Sequence, residues 1–166
     1  MRLPRTISAL LALCLLVPLG GCLGTGDDAT GPVNFTDTGV VETTVFIPAF
    51  GIDIKTSGWV KTPTGLYYRT LVSGSDTARV AANGQQVSVN YVGYLVNGQS
   101  FDGGVYTFVL GTGNAIAGWH QGIVGMRVGE VRRLLIPASL GYGATGAGPI
   151  PPNATLVFDV QVAAIG

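Results

Sequence analysis

Tyr142 sits in a run whose composition limits what it can be. Residues 141–160 read G-Y-G-A-T-G-A-G-P-I-P-P-N-A-T-L-V-F-D-V. So much glycine and proline excludes a helix or a central strand and predicts a shaped surface turn. The turn leads straight into an alternating strand with Leu156, Phe158, Val160 and Val162 on one face. We expect it to hold the phenol of Tyr142, together with Ile150, over the end of a cleft. Aromatic residues spread along the chain could line that cleft: Tyr91, Phe101, Tyr106, Phe108, Trp119, Tyr142 and Phe158, with Asp102 and Ile116 among them. Such a set can desolvate a bound group and hydrogen-bond it. Spacing alone leaves a second reading open, in which these aromatics are simply packing.

Other chemistries are poorly supplied. His120 is the single histidine, so a two-histidine zinc motif is impossible. A Ser-His-Asp triad would have to use His120, beside Trp119, and the chain has no G-x-S-x-G elbow. His120 is expected to be a solvated or rim residue. The glycine-rich G-A-T-G-A-G is no phosphate loop, because no lysine follows and prolines block the next helix. Nine basic and nine acidic residues, with no basic cluster, leave no electrostatic footprint for nucleic acid.

The elements that must position the aromatics follow from the pattern. Residues 66–72 read as a strand after the turn Thr62-Pro63-Thr64-Gly65. Val87, Val89 and Tyr91 alternate with Ser88 and Asn90 in a second strand. Asn97-Gly98 is a hairpin signal between Tyr94 and Phe101. Tyr106, Phe108 and Leu110 alternate in the returning strand, which Gly111 stops. Ile116, Trp119 and Ile123 give one apolar stripe on a short helix. Leu134 and Ile136 share a face of a strand that Pro137 ends. Several strands with one short helix predict an α+β domain, an antiparallel sheet curled around that helix.

The first 60 residues divide differently. Arg2 and Arg5 precede an apolar stretch over 7–19, too short to span a bilayer and better read as a secretory signal within 1–21. It ends in Leu19-Gly20-Gly21-Cys22, the pattern of a bacterial lipobox, which predicts cleavage before Cys22 and its lipidation. Cleavage there leaves seven basic and nine acidic residues and no second cysteine for an intrachain disulfide. Residues 22–39 read as a flexible tether of small polar residues. Residues 40–60 carry Val45, Phe46, Ile47, Phe50, Ile52 and Ile54. These predict an extension strand docked on the domain of 61–166, since they would otherwise form a large exposed patch. The expected location is the cell envelope, with a lipid anchor facing the periplasm and in the outer membrane if the cell has one.

Over 61–166 the chain resembles the FKBP-type peptidyl-prolyl cis–trans isomerases, in their bacterial lipoprotein form. V-S-V-N-Y-V-G-Y, S-F-D, T-F-V-L-G, A-I-A-G-W, G-M-R-V-G-E, P-A-S-L-G-Y-G-A and P-P-N-A-T-L-V-F-D-V occur in that family's order. The resemblance implies an FKBP-like fold and catalysis of X–Pro isomerisation without a cofactor or metal. It also implies proline-containing polypeptides as partners, macrolides as possible inhibitors, and a monomer. Trp119 matches the floor of the proline pocket, and Tyr91, Phe108 and Phe158 match its walls. Phe101 and Tyr106 add further aromatics, and Ala115 and Ile150 complete the rim. Ile116 matches a residue whose backbone N–H binds a substrate carbonyl, and the Tyr142 hydroxyl does the same. Asp102 matches a carboxylate near the twisting amide. Two departures stand out. Only Gly103, Gly104 and Val105 separate Asp102 from Tyr106, where the family commonly has a longer bulge with an arginine partner for the aspartate. The flap before Ile150 is about a residue short. A binding module of chaperone-like character, with little catalysis, is the alternative reading.

Overall fold

The computed structural model describes residues 46–56 and 58–166. The signal segment, Cys22, the tether and the start of the extension lie outside the described residues.

Strands β3 (Val60–Lys61), β4 (Tyr67–Val72), β5 (Gln86–Leu95), β6 (Ser100–Val109), β7 (Val131–Ile136) and β8 (Leu156–Ile165) form one sheet. A two-residue pair, β1 (Phe46–Ile47) and β2 (Ile52–Asp53), stands outside it. The six-stranded sheet runs in the order β3-β4-β7-β8-β5-β6, antiparallel throughout. β8, last in sequence, therefore lies inside the sheet. One helix, α1 (Ala117–Ile123), packs on it against β7. This is the α+β arrangement the sequence predicts.

Alternation decides which residues meet α1. Leu134 and Ile136 of β7, Leu156, Phe158, Val160 and Val162 of β8, and Val87 and Val89 of β5 join Trp119 and Ile123 in the main core. The intervening Leu135 and Val157 point the other way, as a period of two requires. They would face water there, but with Tyr67 they bury Ile47 and Ile52 from the β1–β2 pair. The extension expected as a single strand is thus a short hairpin, closed by a 3₁₀ turn at Pro48–Phe50. Pro48 explains the turn: it cannot extend the ladder of β1 and pre-sets the backbone for a bend.

The β5–β6 hairpin turns as Asn97-Gly98 predicts. Gly98 N–H donates to Leu95 O at 2.9 Å, and Leu95 N–H to Gln99 O at 2.9 Å. Further along, register shifts between Gly93↔Asp102 and Tyr94↔Ser100, leaving Phe101 unpaired as a β-bulge. A bulge re-aims side chains beside it. Here Phe101 reaches Phe158 while Asp102 reaches Tyr91. From Asp102 to Val109 the ladder with β5 is unbroken.

Candidate active site

Trp119 is the centre of the aromatic group. Its helix sits close to the sheet because residues 118 and 122 are glycines. A Cβ on Gly118 would fall 2.5 Å from Ile136 Cγ2, and one on Gly122 2.7 Å from Leu134 Cδ2. The far end of α1 is held by Arg132, whose Nη1 donates to Gly122 O at 3.0 Å and Val124 O at 3.3 Å. That guanidinium is buried, so it needs a counter-charge: its Nε meets Glu130 Oε1 at 2.7 Å, and its face lies over Tyr68. Glu130 also accepts the Thr70 hydroxyl and the Arg127 N–H. Both oxygens of Glu130 and two of the three guanidinium nitrogens are bonded, and a cation at a helix C-terminus is favourably placed.

Around the indole, Tyr91 stands edge-on with ring centroids 4.8 Å apart, and Phe158 edge-on at 5.3 Å. Phe108 lies at 5.8 Å and Tyr106 at 6.1 Å. Tyr106 stacks on Phe108 and donates its hydroxyl to Asn114 O at 2.7 Å, which ties β6 to the loop before α1. Phe101 supports Phe158 from behind, edge-on at 5.5 Å. That contact needs a glycine at 93, because a Cβ there would lie 2.6 Å from Phe158 and 2.7 Å from Phe101.

These rings form the walls of an open cleft of about 600 Å³. It is lined by Tyr91, Asp102, Tyr106, Trp119, Tyr142 and Phe158, with Ala115, Ile116 and Ala117 at one side. Gly113, Asn114 and Gly141 complete it. Ten of the eleven site residues expected in the domain meet in or directly behind this lining; Phe108 and Phe101 form the rear tier rather than the surface. Ile150 does not join them. The turn at Ala147 and Ile150, closed by mutual N–H···O bonds of 3.0 and 2.8 Å, turns its side chain into the main core, where it is 6% exposed. Burial of an isoleucine outweighs leaving it on a wet rim. Gly146 permits that fold-back: its φ is +69°, and any Cβ there would strike the Ile150 carbonyl. Asn114 and Gly113 could not be picked from sequence, since neither residue type nor spacing marks a backbone carbonyl as a tyrosine's partner.

Two phenols define the polar side of the cleft. Tyr91 donates to Asp102 Oδ2 at 2.8 Å. Burial, aided by that bond and by the carboxylate's charge, pushes its pKa up to about 12. Tyr142 is also raised, by burial first and then by Asp102, and among the described residues its hydroxyl has no hydrogen-bond partner. Both are therefore neutral donors at ordinary pH. The Ile116 N–H likewise bonds no group among the described residues. His120 is turned away from such work. Its Nδ1 accepts the Gly111 N–H at 2.9 Å, its Nε2 is buried without a partner, and its ring packs edge-on against Phe108. It is thus half-buried and part of the packing, where a solvated or rim residue was expected. Among the described residues, no cluster of three or more histidine, cysteine, aspartate or glutamate side chains could hold a metal ion.

The sequence and the fold have known counterparts. The profile of the family described as FKBP-type peptidyl-prolyl cis-trans isomerase matches residues 77–163, and the chain belongs to that family. It is 48% identical over 111 residues to FK506-binding protein 4 of Dictyostelium discoideum, covering 64% of this chain and 30% of that one. To an FK506-binding protein of Neisseria meningitidis it is 46% identical over 88 residues, covering 49% of this chain and 81% of the relative. The chain thus spans under a third of the larger relative's length. Among solved structures, FkpA from Escherichia coli superposes with a TM-score of 0.62 at 34% identity, over 68% of this chain and 53% of that one. A peptidyl-prolyl cis-trans isomerase from Pseudomonas syringae gives 0.62 at 31%, over 68% and 84%.

Proposed function

We propose that this protein is a peptidyl-prolyl cis–trans isomerase acting on proline-containing segments of secreted or envelope proteins. The supporting observation is the cleft itself: an aromatic slot in which the Tyr142 hydroxyl and the Ile116 N–H have no hydrogen-bond partner among the described residues. Amide rotation costs ~18–20 kcal/mol because resonance stabilises the planar form. The planar amide is strongly dipolar and well solvated, while the twisted one is less so. Moving the amide from water onto Trp119, Phe158 and Tyr91 therefore raises the ground state more than the transition state. Tyr142 and Ile116 then hold the flanking carbonyls in the twisted geometry. Each ~1.4 kcal/mol of such preference is worth tenfold in rate. Proline suits the slot because its ring packs on an indole and only X–Pro bonds have an appreciable cis population.

A lipid on Cys22 would hold the domain at an envelope membrane; among the described residues no helix is long and apolar enough to cross one. The same apolar slot would admit a macrolide that carries a proline-like ring.

The deciding measurement is cis–trans exchange of short X–Pro peptides by NMR or a protease-coupled assay. We expect acceleration that chelators leave unchanged. Folded protein that binds proline peptides without accelerating exchange would overturn this reading in favour of a peptide-binding, chaperone-like module. For the anchor, wild-type protein should partition into detergent and Cys22→Ser should not; equal partitioning would rule the anchor out.

A further inference from the structure

Among the described residues, Asp102 is the only charged side chain lining the cleft. Both of its contacts are neutral: Oδ2 accepts the Tyr91 hydroxyl and Oδ1 the Gly103 N–H, each at 2.8 Å. Each carboxylate oxygen keeps acceptor capacity beyond these bonds. The ion pairs among the described residues lie elsewhere, Arg132 with Glu130 and Arg133 with Asp159. Asp102 is exposed, the next two residues are glycines, and a Cβ at Gly104 would meet nothing within 4 Å. A peptide that settles in the cleft strips water from this carboxylate, and the described protein offers no cation in return.

We propose that Asp102 selects substrates with a lysine or arginine next to the proline, pairing with that cation at the mouth of the cleft. The inference rests on the isomerase reading for its rate arm. Tyr106, 40% exposed on the same strand, offers a ring along which the aliphatic stem of such a side chain can lie. A pair at an open site is modest in strength, which fits a preference and not an absolute requirement.

The test uses three peptide series with lysine, glutamine or glutamate placed directly before the proline, and three with these placed directly after it. At about 10 mM salt, where charges act over ~30 Å, lysine should exceed glutamine in kcat/KM by about two- to fivefold at one position or both. Glutamate should fall below glutamine. The spread should close at about 1 M salt, where screening cuts the range to ~3 Å. In Asp102→Asn the lysine-to-glutamine ratio should fall to about one whatever happens to the absolute rate, while Asp102→Glu should keep a preference. Turnover of all peptides with no charge preference at either position would overturn the inference and leave the isomerase intact. If no peptide is turned over, the isomerase reading fails, and equilibrium binding of the same peptides, read by tryptophan fluorescence, decides the charge preference alone.

Discussion

At Tyr142 one oxygen separates packing from chemistry. Tyr142→Phe keeps the ring and removes a donor that, among the described residues, bonds nothing. Its loss should leave stability unchanged and lower kcat/KM by a factor of about ten or less, on the order of 1 kcal/mol. A matching fall in the unfolding midpoint would show the hydroxyl to be structural. Tyr91 makes the opposite case, since its hydroxyl is committed to Asp102. With a folded pKa near 12 against 10 unfolded, the native state keeps its proton as the unfolded chain loses one. Stability is therefore full below pH 10 and falls as pH rises towards 12. Urea midpoints measured across that window should fall less steeply in Tyr91→Phe. Activity should be level from pH 6 to 8, where both phenols stay protonated. Trp119, Phe158 and Tyr106 were legible in the sequence because bulky aromatics at strand and helix spacing have few other places to go. Ile150 was not, because a glycine- and proline-rich loop can point a side chain either way until its turn is known.

Among the elements, α1 depends on what its neighbours omit. Alanine is better than glycine in a helix by about 1 kcal/mol. Gly122→Ala should nevertheless lose roughly 1–3 kcal/mol in net stability, because the new methyl meets Leu134 at 2.7 Å on a packed strand. Denaturant unfolding followed by circular dichroism gives the sign directly, and a gain would mean that β7 yields more easily than a packed core should. The long strands β4 to β8 were readable from the sequence pattern, and Asn97-Gly98 gave the turn between β5 and β6. Neither the bulge at Phe101 nor the role of Arg132 at the end of α1 was readable. Both depend on pairing partners some ten residues away or on another element, and no local pattern records them.

For the whole molecule, the sheet is covered on two sides by different things: α1 and the cleft residues on one, the β1–β2 hairpin on the other. Ile52→Ala should thus cost about 2–4 kcal/mol of stability while kcat/KM for X–Pro peptides stays near wild type. A parallel loss of activity in still-folded protein would reveal coupling between the two faces. Of the two edge strands of the sheet, β3 and β6, the long one is β6, which among the described residues pairs with β5 alone. Val105 there is 70% exposed, and between Gly103 and Val109 the strand has neither a proline nor a charge to repel another strand. The same openness of β6 leaves a template for runaway strand addition when the protein is concentrated or heated. Val105→Lys should delay the onset of light scattering on heating without shifting the unfolding midpoint. The length of chain that makes the cleft easy to enter is also where clumping of this protein should begin.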